Sequence, residues 1–477
     1  MKTGFFSAIL GCSGTPEPLI KFKLLTPNIS RGSSLIGGVE MTCCDDEVIK
    51  WVMSRRWYPL KGVMPDEVAT ISLGANLRGL LIKMGSRQVF TPLAIRDSGY
   101  VEGEYTAEYV EGLVSGKTLL EVRKYSEVPE GHVLVKPLST AWTNVVSVVE
   151  VGDSKYVLKG YRTFSPELSE PKFLRYLTKK KFPYSPELVL EVSLGGTVVA
   201  VMTKYVESLG DGGMPFYLSA LKYFETGEYG DVEAKARKLG SVVALFHKVM
   251  NSCDEEWCSP KEATEEVISV WLDDLRQQEA RARESIRRLG EGLGIDMTYV
   301  IDNSLNKLEK SLRELLGLKL IRTHGDLHLA QTLYDGKDFI LIDFEGEPGR
   351  TEERRSLLET ASRDLACLLR SLHYITMFAY AELRKRKLEE VFRDFLREGE
   401  LRREALMWQD RVFNALLEEY LKNVSLQDVQ GLNDAGVFIK SLKAWTLERS
   451  LYEFFYEINY GTGYVYVPLE YLLRESN

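Results

Sequence analysis

Short apolar runs separated by turn residues dominate the first part of the chain, and long amphipathic segments dominate the rest. Five runs predict strands in two groups, at 133–137, 145–151 and 155–159, and then at 188–192 and 197–206. From residue 231 onward, apolar positions recur at helical spacing, for example in 234–250. This order predicts an α+β chain in which a strand-rich part precedes a helical part.

Turn and linker signals divide the chain into three predicted parts. Residues 1–128 mix short alternating runs with turns, and a helix is predicted over 42–57. Pro129-Glu130-Gly131 marks the first boundary, and the polar segment after residue 206 marks the second. We therefore expect parts at 1–128, 129–206 and 207–477.

The stretch from 318 to 348 carries the clearest chemical pattern. Leu318–Ile321 predicts a strand that leads into the polar loop His-Gly-Asp-Leu-His-Leu-Ala-Gln at 324–331. The runs 331–334 and 339–342 flank Asp335-Gly336, a pair typical of a hairpin with two turn residues at positive φ. Such a hairpin brings Asp343 back beside the loop.

Three polar side chains then converge, those of Asp326, Gln331 and Asp343. Protein kinases use a catalytic-loop Asp, an Asn five positions later, and an Asp-Phe-Gly aspartate after a hairpin. Here Gln331 stands five positions after Asp326, and Asp343 begins the sequence Asp-Phe-Glu-Gly. An ordinary strand segment with a carboxylate capping a turn is the alternative, but the joint pattern favours a phosphotransferase site that binds ATP and Mg²⁺.

Composition narrows the class of protein. The chain has 477 residues and a formal net charge of −8, which argues against nucleic acid as a main partner. No apolar run approaches the length of a membrane span. The first twelve residues include Leu10-Gly11-Cys12, which faintly resembles a lipoprotein cleavage site, but the apolar stretch before it is too short for a signal peptide. We therefore expect a first strand there. Six scattered cysteines without zinc spacing favour reduced thiols and a cytoplasmic location.

The loop at 324–331, followed by Asp-Phe-Glu-Gly-Glu-Pro at 343–348, resembles the maltokinases, members of the aminoglycoside-phosphotransferase-like branch of the protein-kinase fold. Arg-Arg-Trp-Tyr-Pro-Leu-Lys-Gly at 55–62 is similar to an element of their N-terminal cap domain. The resemblance implies a bilobal protein-kinase-like fold: a cap at 1–128, a mixed α/β N-lobe at 129–206, and a helical C-lobe at 207–477 with the catalytic loop and sugar site. From the residues alone, Trp57 is better explained as a core aromatic.

The kinase-like fold implies nucleotide contacts in the N-lobe. Lys159 ends an apolar strand at the position where a lysine meets the nucleotide phosphates, although a strand lysine is usually just solvent-exposed. Its partner is expected to be Glu170, with Glu167 as the alternative. The other expected nucleotide contacts lie in a turn and in a hinge segment, and they are Thr143, Asn144, Lys204, Tyr205 and Val206.

The last long helix carries a second pattern. Arg449, Tyr452 and Tyr456 share one helix face, and Glu453 and Glu457 lie beside it. Core packing would explain most such tyrosines, but aromatic rings beside charged groups also suit a sugar. Maltokinases carry Lys-x-x-Tyr-Glu-x-x-Tyr-Glu here as part of the maltose site, so the resemblance implies sugar contacts from these side chains.

The resemblance implies transfer of phosphate from ATP to the anomeric hydroxyl of maltose, with Asp326 as base. Gln331, Asp343 and Glu345 would hold Mg²⁺, His324 would fix the loop, and His328 would contact the sugar or brace Asp326. It also implies a role in trehalose and glycogen metabolism and a possible association with a trehalose synthase. A kinase for another sugar, especially glucosamine, and a non-catalytic partner of a trehalose-to-maltose isomerase are the alternatives. Asp364 either supports the catalytic loop or complements its helix dipole.

Overall fold

The computed structural model describes residues 35–36, 39–40, 42–43, 46–59, 61–139, 144–397, 399–461 and 463–476. Within this part, one compact unit comprises residues up to 181 together with 186–206, and a second comprises 182–185 together with residues from 207 onward. The first unit therefore takes in both segments that were expected to be the cap and the N-lobe. The strand expected at the N-terminus lies outside the described residues.

The first unit is built on two antiparallel sheets. Its strands are β1 Leu35–Ile36, β2 Val39–Glu40, β3 Thr42–Cys43, β4 Glu67–Ser72, β5 Leu77–Met84, β6 Arg87–Arg96, β7 Gly99–Glu102, β8 Glu121–Lys124, β9 Val133–Ser139, β10 Val145–Val151, β11 Ser154–Gly160, β12 Leu188–Leu194 and β13 Thr197–Lys204. One sheet has the order β3-β4-β5-β6-β7 and the other has the order β8-β12-β13-β11-β10-β9, while β1 and β2 form a separate pair. Its helices are α1 Asp46–Ser54, α2 Ala107–Ser115 and α3 Ser169–Lys179.

One apolar core joins the two sheets, because side chains that alternate along the strands point to the same side. Val149, Leu158 and Val192 from the six-stranded sheet share this core with Phe90 and Ala94 from the five-stranded sheet. The helix predicted over 42–57 is shorter, since α1 covers only Asp46–Ser54.

Trp57 is buried in a smaller core, as the residues alone indicated, and its Nε1 donates to Glu102 at 3.2 Å. Gly62 lies in a turn with a φ of 77°. The element at 55–62 therefore has a structural explanation.

The second unit is mainly helical. Its helices are α4 Met214–Thr226, α5 Val232–Asn251, α6 Glu265–Leu293, α7 Met297–Arg313, α8 Glu352–Ser356, α9 Ser362–Arg384, α10 Leu388–Leu396, α11 Glu400–Asn423, α12 Leu426–Gln430, α13 Ala435–Tyr460 and α14 Tyr466–Ser476. Its strands are β14 Gly210–Asp211, β15 Lys261–Glu262, β16 Lys319–Leu320, β17 Thr332–Tyr334 and β18 Phe339–Leu341. Strands β14, β17 and β18 form one sheet, and β15 pairs with β16.

The hairpin expected at Asp335-Gly336 is present, but its turn differs from the prediction. Tyr334 pairs with Phe339, so the loop has the four residues 335–338. Only Gly336 takes a positive φ, of 100°, and the Asp335 carboxylate accepts the backbone N–H groups of Lys337 and Asp338 at 2.8 and 2.6 Å. The hydrogen bonds accepted by the Asp335 side chain therefore stabilise a turn that needs only one residue at positive φ.

Two further findings concern predictions from composition. Cys253 and Cys258 form a disulfide, contrary to the expectation of reduced thiols, while Cys367 is free and buried. Among the described residues, no helix has the length and apolar character required to cross a bilayer.

Candidate active site

The loop that carries Asp326 is fixed by a carboxylate at the start of α9. Asp364 accepts the backbone N–H groups of His324 at 2.9 Å and Gly325 at 3.1 Å. The other contact of Asp364 comes from α5, where His247 Nε2 lies 3.0 Å from it and His247 Nδ1 lies 2.9 Å from the Tyr420 hydroxyl. Asp364 therefore supports the loop, and His247 is completely buried.

His324 acts on the loop and not on a reacting group. Its Nε2 donates to the Ile342 carbonyl oxygen at 2.9 Å, and its ring lies 4.8 Å from the Phe344 ring. These contacts tie the catalytic loop to the segment that follows β18. His324 therefore positions the loop, in agreement with the expected loop role, and a catalytic role for it stays a prediction.

The expected metal ligands lie at the end of the hairpin. Gln331 Nε2 donates to Asp343 Oδ2 at 3.1 Å, so the two side chains are in contact. Asp343 has a φ of 63°, a left-handed conformation that is uncommon outside glycine. This conformation costs free energy, so it persists only where the surrounding structure imposes it. Glu345 follows two positions later and is half-buried. A carboxylate and an amide at one point offer the hard oxygen ligands that Mg²⁺ prefers, so the residues present fit this ion.

Arg449 pairs with the expected base, although the sequence suggested a sugar contact. Its Nη1 lies 2.8 Å from Asp326 Oδ1, and its Nε lies 3.0 Å from Glu453 Oε1. The same guanidinium group pairs with Glu347. Three carboxylates surround this buried side chain, so Arg449 is an ion-pair partner of Asp326, and its expected contact with a sugar stays a prediction.

Glu347 is the centre of a buried ion network that sequence reasoning missed. It pairs with Arg350 at 2.6 Å and Arg363 at 2.8 Å, and both arginines also pair with Glu448 at 2.7 Å. Burial alone would raise the pKa of Glu347, but the charges of Arg350 and Arg363 hold this pKa well below its ordinary value. Glu347 therefore stays ionised and helps to hold Arg449 against Asp326.

A signal for this network exists in the sequence. Arg363 and Arg370 interrupt an otherwise apolar helix, and Glu448 and Arg449 do the same in α13. Charged side chains are almost never fully buried unless they are paired, so charges within apolar helices indicate partners elsewhere in the chain. The pairing itself depends on residues about a hundred positions apart and is not visible in helical spacing.

A pocket of about 650 Å³, open to solvent, adjoins Asp326. We call it the acceptor pocket, and its lining residues are Asp326, His328, Pro348, Cys367, Ser371, Tyr374, Arg449, Tyr452, Glu453, Tyr456, Glu457 and Tyr464. The sequence pattern had identified Arg449, Tyr452, Glu453 and Tyr456, while Tyr374 and Tyr464 come from other segments. Four tyrosine rings and three carboxylates therefore surround one space.

The two tyrosines that were expected to bind sugar differ in their packing. The Tyr452 hydroxyl accepts the Gly349 N–H at 3.3 Å, and the Arg350 guanidinium lies 4.1 Å from the centre of its ring. Tyr452 is thus also a core residue, whereas Tyr456 is half-buried and packs against Tyr460 with ring centres 4.6 Å apart.

His328 lies in the pocket wall with its Nε2 3.8 Å from Asp326 Oδ2. Burial lowers the pKa of His328, so the neutral imidazole is favoured near neutral pH. The distance is too long for a hydrogen bond. Both expected roles, contact with a sugar and bracing of Asp326, therefore remain predictions.

Behind the pocket, Arg370 connects Glu453 to a buried histidine. Arg370 Nη2 lies 2.9 Å from Glu453 Oε2, and its Nη1 donates to His373 Nδ1 at 2.6 Å. Burial, and next the charge of Arg370, lower the pKa of His373 well below its ordinary value. The folded protein therefore requires a neutral imidazole here.

This requirement has a measurable consequence for stability. As the pH falls through about 6.5, His373 becomes protonated in the unfolded chain before it does so in the folded one. The free energy of unfolding should therefore fall with pH, by at most about 1.4 kcal/mol per pH unit from this group. Urea titrations between pH 7.5 and 5.5 should show a smaller fall for His373→Gln, which can accept from Arg370 without titrating. Equal slopes for both proteins would contradict the assignment.

The expected nucleotide residues lie in the first unit. Lys159 Nζ pairs with Glu170 Oε2 at 2.7 Å, and the Tyr161 hydroxyl donates to the same oxygen at 2.8 Å. Glu167 instead pairs with Lys172 at 3.0 Å, so Glu170 is the partner of Lys159.

The turn and the hinge segment give a mixed result. Asn144 Oδ1 accepts the Arg162 N–H at 3.1 Å, and Thr143 lies outside the described residues. The backbone N–H groups of Lys204 and Tyr205 bond to the Glu187 and Lys155 carbonyl oxygens, at 2.9 and 3.1 Å. These two N–H groups are therefore hydrogen-bonded to carbonyl oxygens of the first unit. Val206, the third expected hinge residue, follows them in the chain.

Comparisons with known proteins agree with this arrangement. Residues 134–346 match the model of the phosphotransferase enzyme family. A glucosamine kinase of Mycolicibacterium smegmatis is 26% identical over 157 residues, which are 32% of this chain and 37% of that relative's length. The alignment thus spans little more than a third of the relative.

Solved structures resemble a larger share of the chain. A glucosamine kinase structure superposes with a TM-score of 0.65 at 19% identity, over 86% of this chain and 92% of that one. A glucosamine kinase in complex with glucosamine, ADP and inorganic phosphate gives a TM-score of 0.64 at 17% identity, over 90% and 98%. The chain therefore has a protein-kinase-like fold with a mixed-sheet unit and a helical unit. The family match over residues 134–346 agrees with the phosphotransferase pattern in the sequence.

Proposed function

We propose that this protein is an ATP- and magnesium-dependent sugar kinase. The acceptor pocket carries the proposal, because it places tyrosine rings and carboxylates around the one aspartate of the His-Gly-Asp loop. Aromatic rings pack on the apolar faces of a sugar, and buried carboxylates accept hydrogen bonds from its hydroxyl groups. The match of residues 134–346 to phosphotransferases supports the reaction class.

Asp326 is the proposed general base. Its Oδ1 is held by Arg449 at 2.8 Å, which leaves Oδ2 to accept the proton of the sugar hydroxyl as that hydroxyl attacks the γ-phosphate of ATP. The new bond joins the sugar oxygen to phosphorus, and the bond to the bridging oxygen of ADP breaks. Arg449 fixes the position of the carboxylate, so it acts through Asp326.

Gln331, Asp343 and Glu345 are the proposed holders of Mg²⁺. When bound, Mg²⁺ would neutralise charge on the phosphates. Lys159, held by Glu170, is the proposed cation for the nucleotide phosphates. Asn144, Thr143 and the hinge residues 204–206 remain the proposed contacts for the rest of the nucleotide.

Maltose is the acceptor that the motifs imply, with phosphorylation at the anomeric hydroxyl. The acceptor pocket supports this choice, since it is open to solvent and lined by tyrosine rings. The Tyr-Glu-x-x-Tyr-Glu pattern also supplies two of the four tyrosines in its wall. A trehalose synthase remains a proposed partner on the same resemblance.

Glucosamine is the second candidate, and the charge of the pocket favours it. Asp326, Glu453 and Glu457 line the pocket against one lining arginine, Arg449. A protonated amino sugar would gain from such an excess of negative charge. The glucosamine kinase relative and the solved glucosamine kinases support the same candidate.

Tyr456 gives the sharpest test of sugar binding, since it is half-buried and Tyr452 is part of the core. Tyr456→Ala should raise the KM for the sugar about thirtyfold, because a stacked ring is worth on the order of 1 kcal/mol and a hydroxyl contact a similar amount. The KM for ATP and the melting temperature should change little.

Tyr299→Ala is the matched control, because Tyr299 is 62% exposed, lies on α7 of the same unit and does not line the pocket. Its KM for the sugar should equal that of the wild type. A Tyr456→Ala enzyme with an unchanged sugar KM would return this tyrosine to a packing role.

A further inference from the structure

A buried ion pair in the first unit connects the segment that was expected to be the cap with the segment that was expected to be the N-lobe. Glu104 lies in the short 3₁₀ helix Gly103–Tyr105, and Arg162 lies two residues after the end of β11. Arg162 donates from Nη1 to Glu104 Oε1 at 2.6 Å and from Nη2 to Oε2 at 3.1 Å. Glu104 is 1% exposed and Arg162 is 4% exposed, so this two-point contact is sealed from solvent.

Stability alone does not explain a buried ion pair. The attraction between two ions does not always offset the cost of taking both out of water, so such a pair is weak evidence for stability. A bidentate contact between guanidinium and carboxylate does, however, fix the relative position of the two segments that carry it. The surroundings of Glu104 therefore indicate which geometry the pair sets.

Glu104 packs on the strand that carries Lys159. A Cβ atom added to Gly160, the last residue of β11, would lie 2.1 Å from Glu104 Oε1 and 2.9 Å from Glu104 Cδ. Real Cβ atoms essentially never come this close to another heavy atom, so a side chain at Gly160 would displace the carboxylate. The φ of Gly160 lies outside the left-handed region, so this position requires glycine for space and not for its backbone conformation.

The residues on either side of Gly160 share one partner. Lys159 Nζ pairs with Glu170 Oε2 at 2.7 Å, and the Tyr161 hydroxyl donates to the same oxygen at 2.8 Å. Both contacts depend on the course of the backbone from residue 159 to residue 161. Glu104 touches this stretch in the middle, at Gly160, and holds its continuation through Arg162.

The same ion pair is connected to the turn before β10. The backbone N–H of Arg162 donates to Asn144 Oδ1 at 3.1 Å. On the other side of the pair, the Ser147 hydroxyl of β10 donates to the Glu104 carbonyl oxygen at 2.9 Å. Glu104 and Arg162 therefore adjoin both segments of the first unit, at Lys159 and at Asn144, that precede the hinge and were expected to contact the nucleotide.

We propose that Glu104 is a positioning residue for nucleotide binding, and this proposal rests on the sugar kinase function proposed above. Its carboxylate holds the end of β11 through Gly160 and Arg162. The end of β11 in turn directs Lys159 toward the nucleotide phosphates and keeps Asn144 in its turn. The segment that was expected to be a separate cap thus contributes a residue on which nucleotide affinity depends.

Two variants disturb the pair without removing a charge from it. Gly160→Ala forces the Glu104 carboxylate to move, and Arg162→Lys keeps the cation but replaces the planar two-point contact with a single ammonium group. Because both ions remain, neither variant incurs the large penalty of a buried charge whose partner has been deleted. Arg162→Lys decides alone if Gly160→Ala does not fold.

Ile71→Val is the matched control for a general loss of stability. Ile71 is 1% exposed, lies on β4 of the five-stranded sheet and belongs to the apolar core of the same unit. Loss of one buried methyl group lowers stability without changing the ion pair. For each protein we measure the melting temperature, the Kd for Mg-ADP by titration calorimetry, and the KM values for Mg-ATP and for the sugar.

Gly160→Ala and Arg162→Lys should each raise the Kd for Mg-ADP and the KM for Mg-ATP about tenfold, within the roughly hundredfold that a small misplacement of functional groups can cause. The KM for the sugar should stay at the wild-type value. Ile71→Val should lower the melting temperature and leave all three constants unchanged.

A folded Gly160→Ala or Arg162→Lys protein with the wild-type Kd for Mg-ADP would overturn the proposal. An equal rise in the KM for the sugar, or a rise in the Kd for Mg-ADP in Ile71→Val, would also overturn it, because a merely structural role predicts both. A wild type that binds Mg-ADP but phosphorylates no sugar would contradict the sugar kinase function alone, since calorimetry still reports on Glu104. A wild type that binds no Mg-ADP would overturn both proposals.

Discussion

Asp326→Asn is expected to lower kcat by roughly 10²–10⁴-fold, the range over which a positioned general base acts. Asparagine keeps the shape of the side chain and can still bond to Arg449, but it cannot accept the proton of the attacking hydroxyl. Arg449 would keep Glu347 and Glu453 as partners, so the buried cation remains compensated. The melting temperature and the KM for Mg-ATP should therefore change little.

The hairpin loop supplies a control for this variant. Asp335→Asn makes the same chemical change on an exposed loop of the same unit, where Asp335 bonds only to local backbone N–H groups. Its kcat should equal that of the wild type. If Asp326→Asn turned over near the wild-type rate, Asp326 would not be the base.

Asp343→Asn is expected to remove turnover by a different route. A bound metal ion provides several kcal/mol of charge stabilisation, so the loss of a carboxylate ligand should lower kcat by about a hundredfold or more. Asparagine is among the residues that best tolerate a positive φ, so the conformation of 63° at this position is kept. The fold should therefore remain intact.

The two aspartate variants should separate in their dependence on magnesium. Asp343→Asn should raise both the KM for Mg-ATP and the magnesium concentration at half-maximal rate, whereas Asp326→Asn should raise neither. Steady-state rates measured over a series of Mg²⁺ concentrations give both values. An Asp343→Asn enzyme with the magnesium dependence of the wild type would remove this residue from the metal site.

Local sequence patterns predicted much of the fold. The apolar runs at 145–151 and 188–192 correspond to strands β10 and β12 of the structure, and the helical spacing over 234–250 corresponds to helix α5. The pairing of Lys159 with Glu170 followed from a strand that ends on a lysine and a helix that begins with a glutamate. These features depend on neighbours within a few residues, which is the range that periodicity and turn residues report.

The buried polar contacts of the site depend on residues that are far apart in the chain. Arg449 shares a helix face with Tyr452, yet its direction is set by Asp326 and Glu347, each more than a hundred residues away. His247 lies on an amphipathic helix, where its spacing allowed a surface position, but Asp364 and Tyr420 hold it in the core. Ion pairs and buried hydrogen bonds between distant residues cannot be predicted from the spacing of apolar residues within one helix.

The central claim is that the acceptor pocket presents a sugar hydroxyl to Asp326. The most direct measurement incubates the enzyme with ATP, Mg²⁺ and one sugar at a time, and identifies the product by ³¹P NMR. Maltose is expected to give a phosphate on the anomeric oxygen, while a phosphorylated glucosamine with unreacted maltose would select the second candidate. In either case, Asp326→Asn should give no product. Release of ADP without any sugar phosphate, across a panel that includes maltose, glucosamine, glucose and trehalose, would contradict the account.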